Sequence, residues 1–314
     1  IAPGPMRRGP PSRRRSERMI PASYEPLVAP ARARAQSWRF VLGLGVIAAV
    51  YLLWMVATGL VLWWDQGLDG FQAQLARIST GSDPWSLILL LSTFLGGWLG
   101  LWVAMHLLHR RKLRSLLGRA PVVLRDFVTG VSAMVLVGGV LTLAMAPLLP
   151  PLALTDNPGQ WLRFLPLALL GILIQTGAEE LVFRGYLQSH LAARFGRPLV
   201  YLLLPSLLFG YAHYNAEELG RDAWIVVASA GLFGLVAADL VQRTGSLGLA
   251  WGLHFANNVL AILVVSVTGG LDGLALLNPA GGATPDDLLR RLLFADMLLM
   301  VAVWAACRIW LRRR

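Results

Sequence analysis

Two adjacent carboxylates and a guanidinium stand inside one of the most apolar runs of this chain: Glu179, Glu180 and Arg184, in GAEELVFRGYLQSH, residues 177–190. A carboxylate kept from water without a counter-ion is a ready proton acceptor, suited to activating a water molecule. Glu180 and Arg184 are four apart, so they share a helical face and can pair. Glu179 is turned by about 100° around the same helix and escapes that pairing. The spacing therefore assigns Glu180 and Arg184 to a held ion pair and leaves Glu179 for chemistry. The plainer alternative is a pair of glutamates reaching to lipid headgroups.

Two more polar groups lie in apolar surroundings. FGYAH ends on His213, four residues after Phe209, whose ring can pack on or position the imidazole; a lone histidine near a helix end also fits a structural or interfacial place. HFANN puts His254 and Asn258 four apart on one face, with Asn257 the weaker candidate. His and Asn on one face offer donors to a developing oxyanion, and would equally serve as a clamp between helices. An ionisable side chain at the bilayer centre costs roughly 2.5–3.5 kcal/mol on insertion scales. A single polar site between helices accounts for that cost being incurred in three segments. Other polar residues have plainer places. Asp239 and Arg243 are expected to pair at a membrane edge, His106 and His109 to be interfacial, and His190 to sit at a cavity mouth or among headgroups.

The elements that must position these groups are membrane helices. The 314 residues are 56% hydrophobic and 14% charged, where a soluble domain is about a quarter charged. Eight segments are long enough to span a bilayer: 38–64, 85–108, 122–149, 161–190, 198–216, 223–242, 246–268 and 290–311. The loops alternate without a break between a basic kind (the N-terminal arm, 109–119, 191–197, Arg243, the C-terminus) and an acidic or neutral kind (65–84, 155–160, 217–222, 269–288). Basic loops mark the cytoplasmic side, so both termini are expected there; Arg290 and Arg291 are a mild violation. Residues 1–37 are rich in Pro, Arg, Ala and Ser and read as a disordered basic arm. The first apolar segment is too long for a signal-peptide core. The net charge of +11 gathers at juxtamembrane positions, which argues against nucleic acid as a partner. The single cysteine, Cys307, allows no internal disulfide.

Taken together, EELVFR (179–184), FGYAH (209–213) and HFANN (254–258) resemble the EExxxR, FxxxH and HxxxN motifs of the CPBP or Abi family. These are CAAX-processing and bacteriocin-processing intramembrane proteases, which include the Ras-converting CAAX endopeptidase. The motifs stand in family order on separate spans, and RTGSLGLAWGLHFANN (243–258) resembles the family's run into the last motif. The likeness covers about residues 160–262. It implies Glu179 as the base that activates water with help from His213, Glu180 and Arg184 as the electrostatic support, and His254 and Asn258 as the oxyanion site. It implies no resident cofactor. Zinc, which Glu179 and two histidines could ligate, is not favoured, because asparagine is a poor zinc ligand and a good oxyanion donor.

The reading is an all-α, polytopic protein of about eight transmembrane helices in a bacterial inner membrane. It divides into the arm 1–37, N-terminal helices 38–149, a catalytic core 150–268, and a loop with the last helix, 269–314. The expected function is an intramembrane endopeptidase acting on a peptide or membrane-protein segment, with the lipid bilayer as its other partner. The alternatives are a non-catalytic immunity or scaffold protein of the same fold and a proton-coupled transporter. The reading predicts that the Glu179 carboxylate and the His213 and His254 rings converge within one water's reach, roughly 3–5 Å.

Overall fold

The computed structural model describes residues 20–145, 151–265, 271–279 and 285–313. The first part of the N-terminal arm, the far ends of the third and seventh expected spans and part of the loop 269–288 lie outside the described residues. The protein is a helical bundle in which each expected span coincides with a helix. The helices are α1 Glu25–Arg32, α2 Ser37–Thr80, α3 Pro84–His109, α4 Ala120–Met145, α5 Pro158–Phe195, α6 Leu199–Tyr211, α7 Ala223–Thr244, α8 Gly248–Val264 and α9 Pro285–Arg312. Among the described residues, six helical segments are long and apolar enough to cross a membrane, while α6 and α8 are shorter. This is a multi-pass membrane protein.

Residues 20–37 differ from the expectation of disorder. Tyr24, Leu27, Val28 and Ala31 recur at helical spacing on one face and are buried in α1. The ring of Tyr24 lies 5.8 Å from that of Tyr201. The short apolar stripe is diluted by flanking Pro and Arg, so composition hides it.

The site rests on α5, α6 and α8. In α5, Asn157 caps the first turn by accepting the Gln160 N–H at 3.0 Å, and Pro158 follows at the first helical position. The helix runs to Phe195 and stops at Gly196, whose φ of +62° suits glycine. Residues Leu181–Gln188 widen into a π-helix, a feature often found at functional sites. After Gly196 the chain doubles back as α6, whose Phe209 ring meets Phe183 of α5 at 5.0 Å. α8 lies close against α4: a Cβ on Gly252 would come 2.1 Å from the Phe127 carbonyl oxygen. Gly248 has the same relation to the Val123 carbonyl oxygen. Small residues four apart let two backbones touch.

The two ends of the bundle are tied differently. At one end β1 (Leu152–Leu154) pairs antiparallel with β2 (Leu277–Pro279). There the Leu271 N–H bonds the Thr80 carbonyl and the Gly273 N–H bonds the Gly81 carbonyl. At the other end, Arg39 donates to the Leu108 carbonyl, Ser23 to the Gln242 carbonyl, and the Leu247 N–H to the Leu117 carbonyl. The basic segments thus gather at one end and the acidic or neutral loops at the other. Arg290, the apparent violation, is paired with Asp222 at 2.9 Å.

Candidate active site

Glu180 and Arg184 form the expected ion pair: Arg184 Nη1 donates to Glu180 Oε1 at 3.0 Å, with both side chains buried. The guanidinium also lies over the Phe209 ring at 4.4 Å and over the Phe233 ring at 5.3 Å. The cation is thus held by a carboxylate and by aromatic faces, each favourable out of water.

His254 joins this pair. Its Nδ1 lies 2.9 Å from Glu180 Oε1, so that oxygen serves both the guanidinium and the imidazole. The other ring nitrogen, Nε2, faces Glu179 Oε2 at 3.5 Å. His254 therefore stands between the two glutamates, where an ionised Glu180 calls for a proton on Nδ1. This differs from an imidazole placed beside Asn258 as an oxyanion donor. Phe233 packs on the ring at 4.7 Å, and the sequence carries no signal for Phe233.

Glu179 is not in the Arg184 pair. Its Oε1 accepts a hydrogen bond from Gln175 Nε2 at 2.7 Å. Its Oε2 is buried and makes no hydrogen bond. Gln175 Oε1 in turn accepts from Asn258 Nδ2 at 2.9 Å. A chain Asn258–Gln175–Glu179 thus fixes one carboxylate oxygen and aims the other at His254. The motifs do not single out Gln175; its signal is an amide four residues before Glu179, on the same face. Asn257 takes no part in this chain. Behind the site, Gly177 leaves room for two indoles: a Cβ there would lie 2.7 Å from Trp251 and 2.8 Å from Trp98. The Trp251 N–H reaches Thr176 Oγ1 at 3.2 Å.

His213 does not reach Glu179 by a hydrogen bond or an ion pair. It lies past the end of α6, exposed, with Nδ1 on the Phe209 carbonyl at 2.8 Å and its ring 4.8 Å from that of Phe209. A carbonyl only accepts, so Nδ1 carries the proton and Nε2 is the nitrogen left to act. Arg184 of α5 lies over the Phe209 ring of α6 at 4.4 Å, four residues before His213. The Phe209 ring adjoins both imidazoles, 5.7 Å from His254. The structure thus brings Glu179, Glu180, Arg184, His254 and Asn258 together and sets His213 at the edge.

Among the described residues, no group of three or more His, Cys, Asp or Glu side chains is placed to hold a metal ion.

Two other histidines are not where the sequence suggests. His109 and His190 are buried, with rings 4.5 Å apart, and His109 Nε2 is 2.9 Å from the Tyr186 hydroxyl. Tyr186 and Phe40 enclose them, so neither reaches headgroups. His106 is exposed and stacks on Trp102. Asp239 pairs with Arg243 at 2.9 Å, as the spacing suggests.

Residues 160–260 match the family model described as type II CAAX prenyl endopeptidase, Rce1-like. The uncharacterized protein YyaK of Bacillus subtilis (strain 168) is 33% identical over 122 residues, covering 38% of this chain and 41% of YyaK. The chain thus spans less than half the length of that relative. No solved structure matches.

Proposed function

We propose, from the Rce1-like domain at residues 160–260, that this membrane protein is an endopeptidase that hydrolyses a peptide bond within or at the edge of the bilayer. The observation that carries the reading is the orientation of Glu179, with Oε1 held by Gln175 and Oε2 unbonded 3.5 Å from His254 Nε2. In this mechanism Glu179 Oε2 takes a proton from water, and the resulting hydroxide attacks the carbonyl carbon of the substrate. The tetrahedral oxyanion is met by the second N–H of Asn258, the first being committed to Gln175. The proton then passes to the leaving amine, completing hydrolysis. Glu180, Arg184 and the aromatic faces hold His254 against Glu179, and His213 stands where a substrate backbone would pass. No step calls for a metal or an organic cofactor.

The substrate is a peptide or a membrane-protein segment, and the expected setting is a bacterial inner membrane with both termini cytoplasmic. Comparative membrane proteomics of cells carrying wild type or Glu179→Ala tests the reading. A precursor accumulating only in the variant supports proteolysis. Identical proteomes with a preserved phenotype would instead leave the immunity or scaffold role, and proton-coupled flux in liposomes would favour a transporter.

A further inference from the structure

Away from the glutamates, at the basic end of the bundle, a cavity of about 390 Å³ opens between α4, α7, α9 and the segment preceding α1. Four arginines line it: Arg125 from α4, Arg243 from α7, and Arg308 and Arg312 from α9. They are far apart in sequence and reach one space only through the fold. Pro21 and Leu311 add apolar wall.

Two carboxylates organise this cluster without neutralising it. Asp126 holds Arg125 through Nε and Nη2, at 3.1 and 2.8 Å. Asp239, behind the cavity, takes Arg243 through Nε alone, at 2.9 Å to each oxygen. It also takes Arg308 through Nη1 at 3.1 Å, and Arg308 rests on the Trp304 ring at 5.0 Å. The terminal amino groups of Arg243 are therefore left over, as are Nη1 of Arg125 and Nη2 of Arg308. Arg312 has no ion-pair partner among the described residues. Four guanidiniums face two carboxylates, so positive charge remains in excess, with N–H donors already oriented.

Helix-end electrostatics explains part of this. Arg243, Arg308 and Arg312 sit near the C-terminal ends of α7 and α9, where cations are favoured. Arg125 is not explained that way: it is the sixth residue of α4, beyond the first turn over which a helix dipole acts. Its presence in the same cavity points to an anion as the common object. Fork-shaped guanidinium donors suit phosphate oxygens, and basic pockets between membrane helices bind lipid headgroups. Leu124 and Ile309, adjacent to lining arginines, are 67% and 53% exposed apolar side chains, suited to acyl chains beside a bound headgroup.

We propose that this cavity binds a phosphate group, supplied by an anionic phospholipid at the membrane edge. The proposal is independent of the peptidase reading. The test uses the full chain, delipidated in detergent, with native mass spectrometry after addition of phosphatidylglycerol or phosphatidylcholine. A parallel arm measures the melting temperature with inorganic phosphate. Phosphatidylglycerol should be retained in preference to phosphatidylcholine. Arg312→Gln, at an exposed helix end, should weaken retention roughly fivefold, and Arg312→Gln with Arg243→Gln further. Arg114→Gln, a basic-end arginine outside the cavity, should leave retention unchanged. If the double variant folds poorly, Arg312→Gln alone decides. Protection by inorganic phosphate without lipid retention would keep the phosphate site and assign it a soluble ligand. Equal retention of the two lipids without phosphate protection, or equal loss in Arg114→Gln, would overturn the proposal.

Discussion

Two neighbouring glutamates are held by different partners. Glu180 Oε1 is shared by Arg184 and His254, whereas Glu179 Oε1 is held by Gln175 and its Oε2 faces His254 Nε2 at 3.5 Å; each glutamate keeps one buried oxygen without a hydrogen bond. Under the proposed mechanism Glu179→Gln removes the base and should lower turnover by about 10²–10⁴-fold with the melting temperature near wild type, read by cleavage of the precursor that Glu179→Ala accumulates. Gln175 and Asn258 act through one hydrogen-bond chain. Gln175→Leu and Asn258→Leu should therefore each slow turnover, and the double variant should cost well short of the product of the two, because coupled residues are not additive. A strictly multiplicative double variant would separate them. The Glu180–Arg184 pair and the isolation of Glu179 are legible from spacing alone, since positions i and i+4 share a face. Gln175 is not, because a glutamine carries no charge to draw attention in an apolar run. The place of His254 between the carboxylates depends on how α8 is rotated against α5, which no spacing within either helix records.

At the scale of elements, the site is a joint between α5, α6 and α8, and its strength lies in the buried ion pair and the close contact of α8 with α4. Removing one partner of a buried pair costs about 3–5 kcal/mol. Arg184→Met should therefore destabilise the protein by about that much. Glu180→Gln combined with Arg184→Met should recover part of the loss, since Glu180 is then not left as an uncompensated buried charge; thermal unfolding in detergent checks both. Gly252→Leu should push α8 from α4 and cost about 1–3 kcal/mol or more; under the proposed mechanism, cleavage is then lost with the displacement of His254 and Asn258. The helices themselves are legible in the sequence, because apolar runs in lipid leave the backbone few other choices. Two features are not. Counting in steps of 3.6 residues across 181–188 misplaces the residues C-terminal to that segment, because the π-helix turns less per residue; His190 accordingly meets His109 and Tyr186 rather than a cavity mouth. The stop of α6 at Tyr211, which leaves His213 outside the helix, has no breaker in the sequence to announce it.

At the scale of the whole molecule, the knitted loops at one end and the gathered basic segments at the other give a definite sidedness. In a Cys307→Ser background, a cysteine at Asp272 should react with a membrane-impermeant maleimide added to intact cells. A cysteine at Ser115 should react only after the cells are opened, as the positive-inside rule requires; the reverse pattern would invert the orientation, and equal labelling would refute the two-ended arrangement. The same loop contacts bear on α6 and α8, which fall short of a full span by length. Leu117 and Leu247 bond at one end, and Thr155 and Leu276 at the other. Between the first two lie α4, α5, α6 and α7; between the second two lie α5, α6, α7 and α8. Each pair can meet only if the intervening crossings are even in number, so parity makes both short helices count as crossings. An epitope inserted between α6 and α7 then surfaces opposite one inserted between α5 and α6, and the two shortest crossings are those at the FGYAH and HFANN motifs.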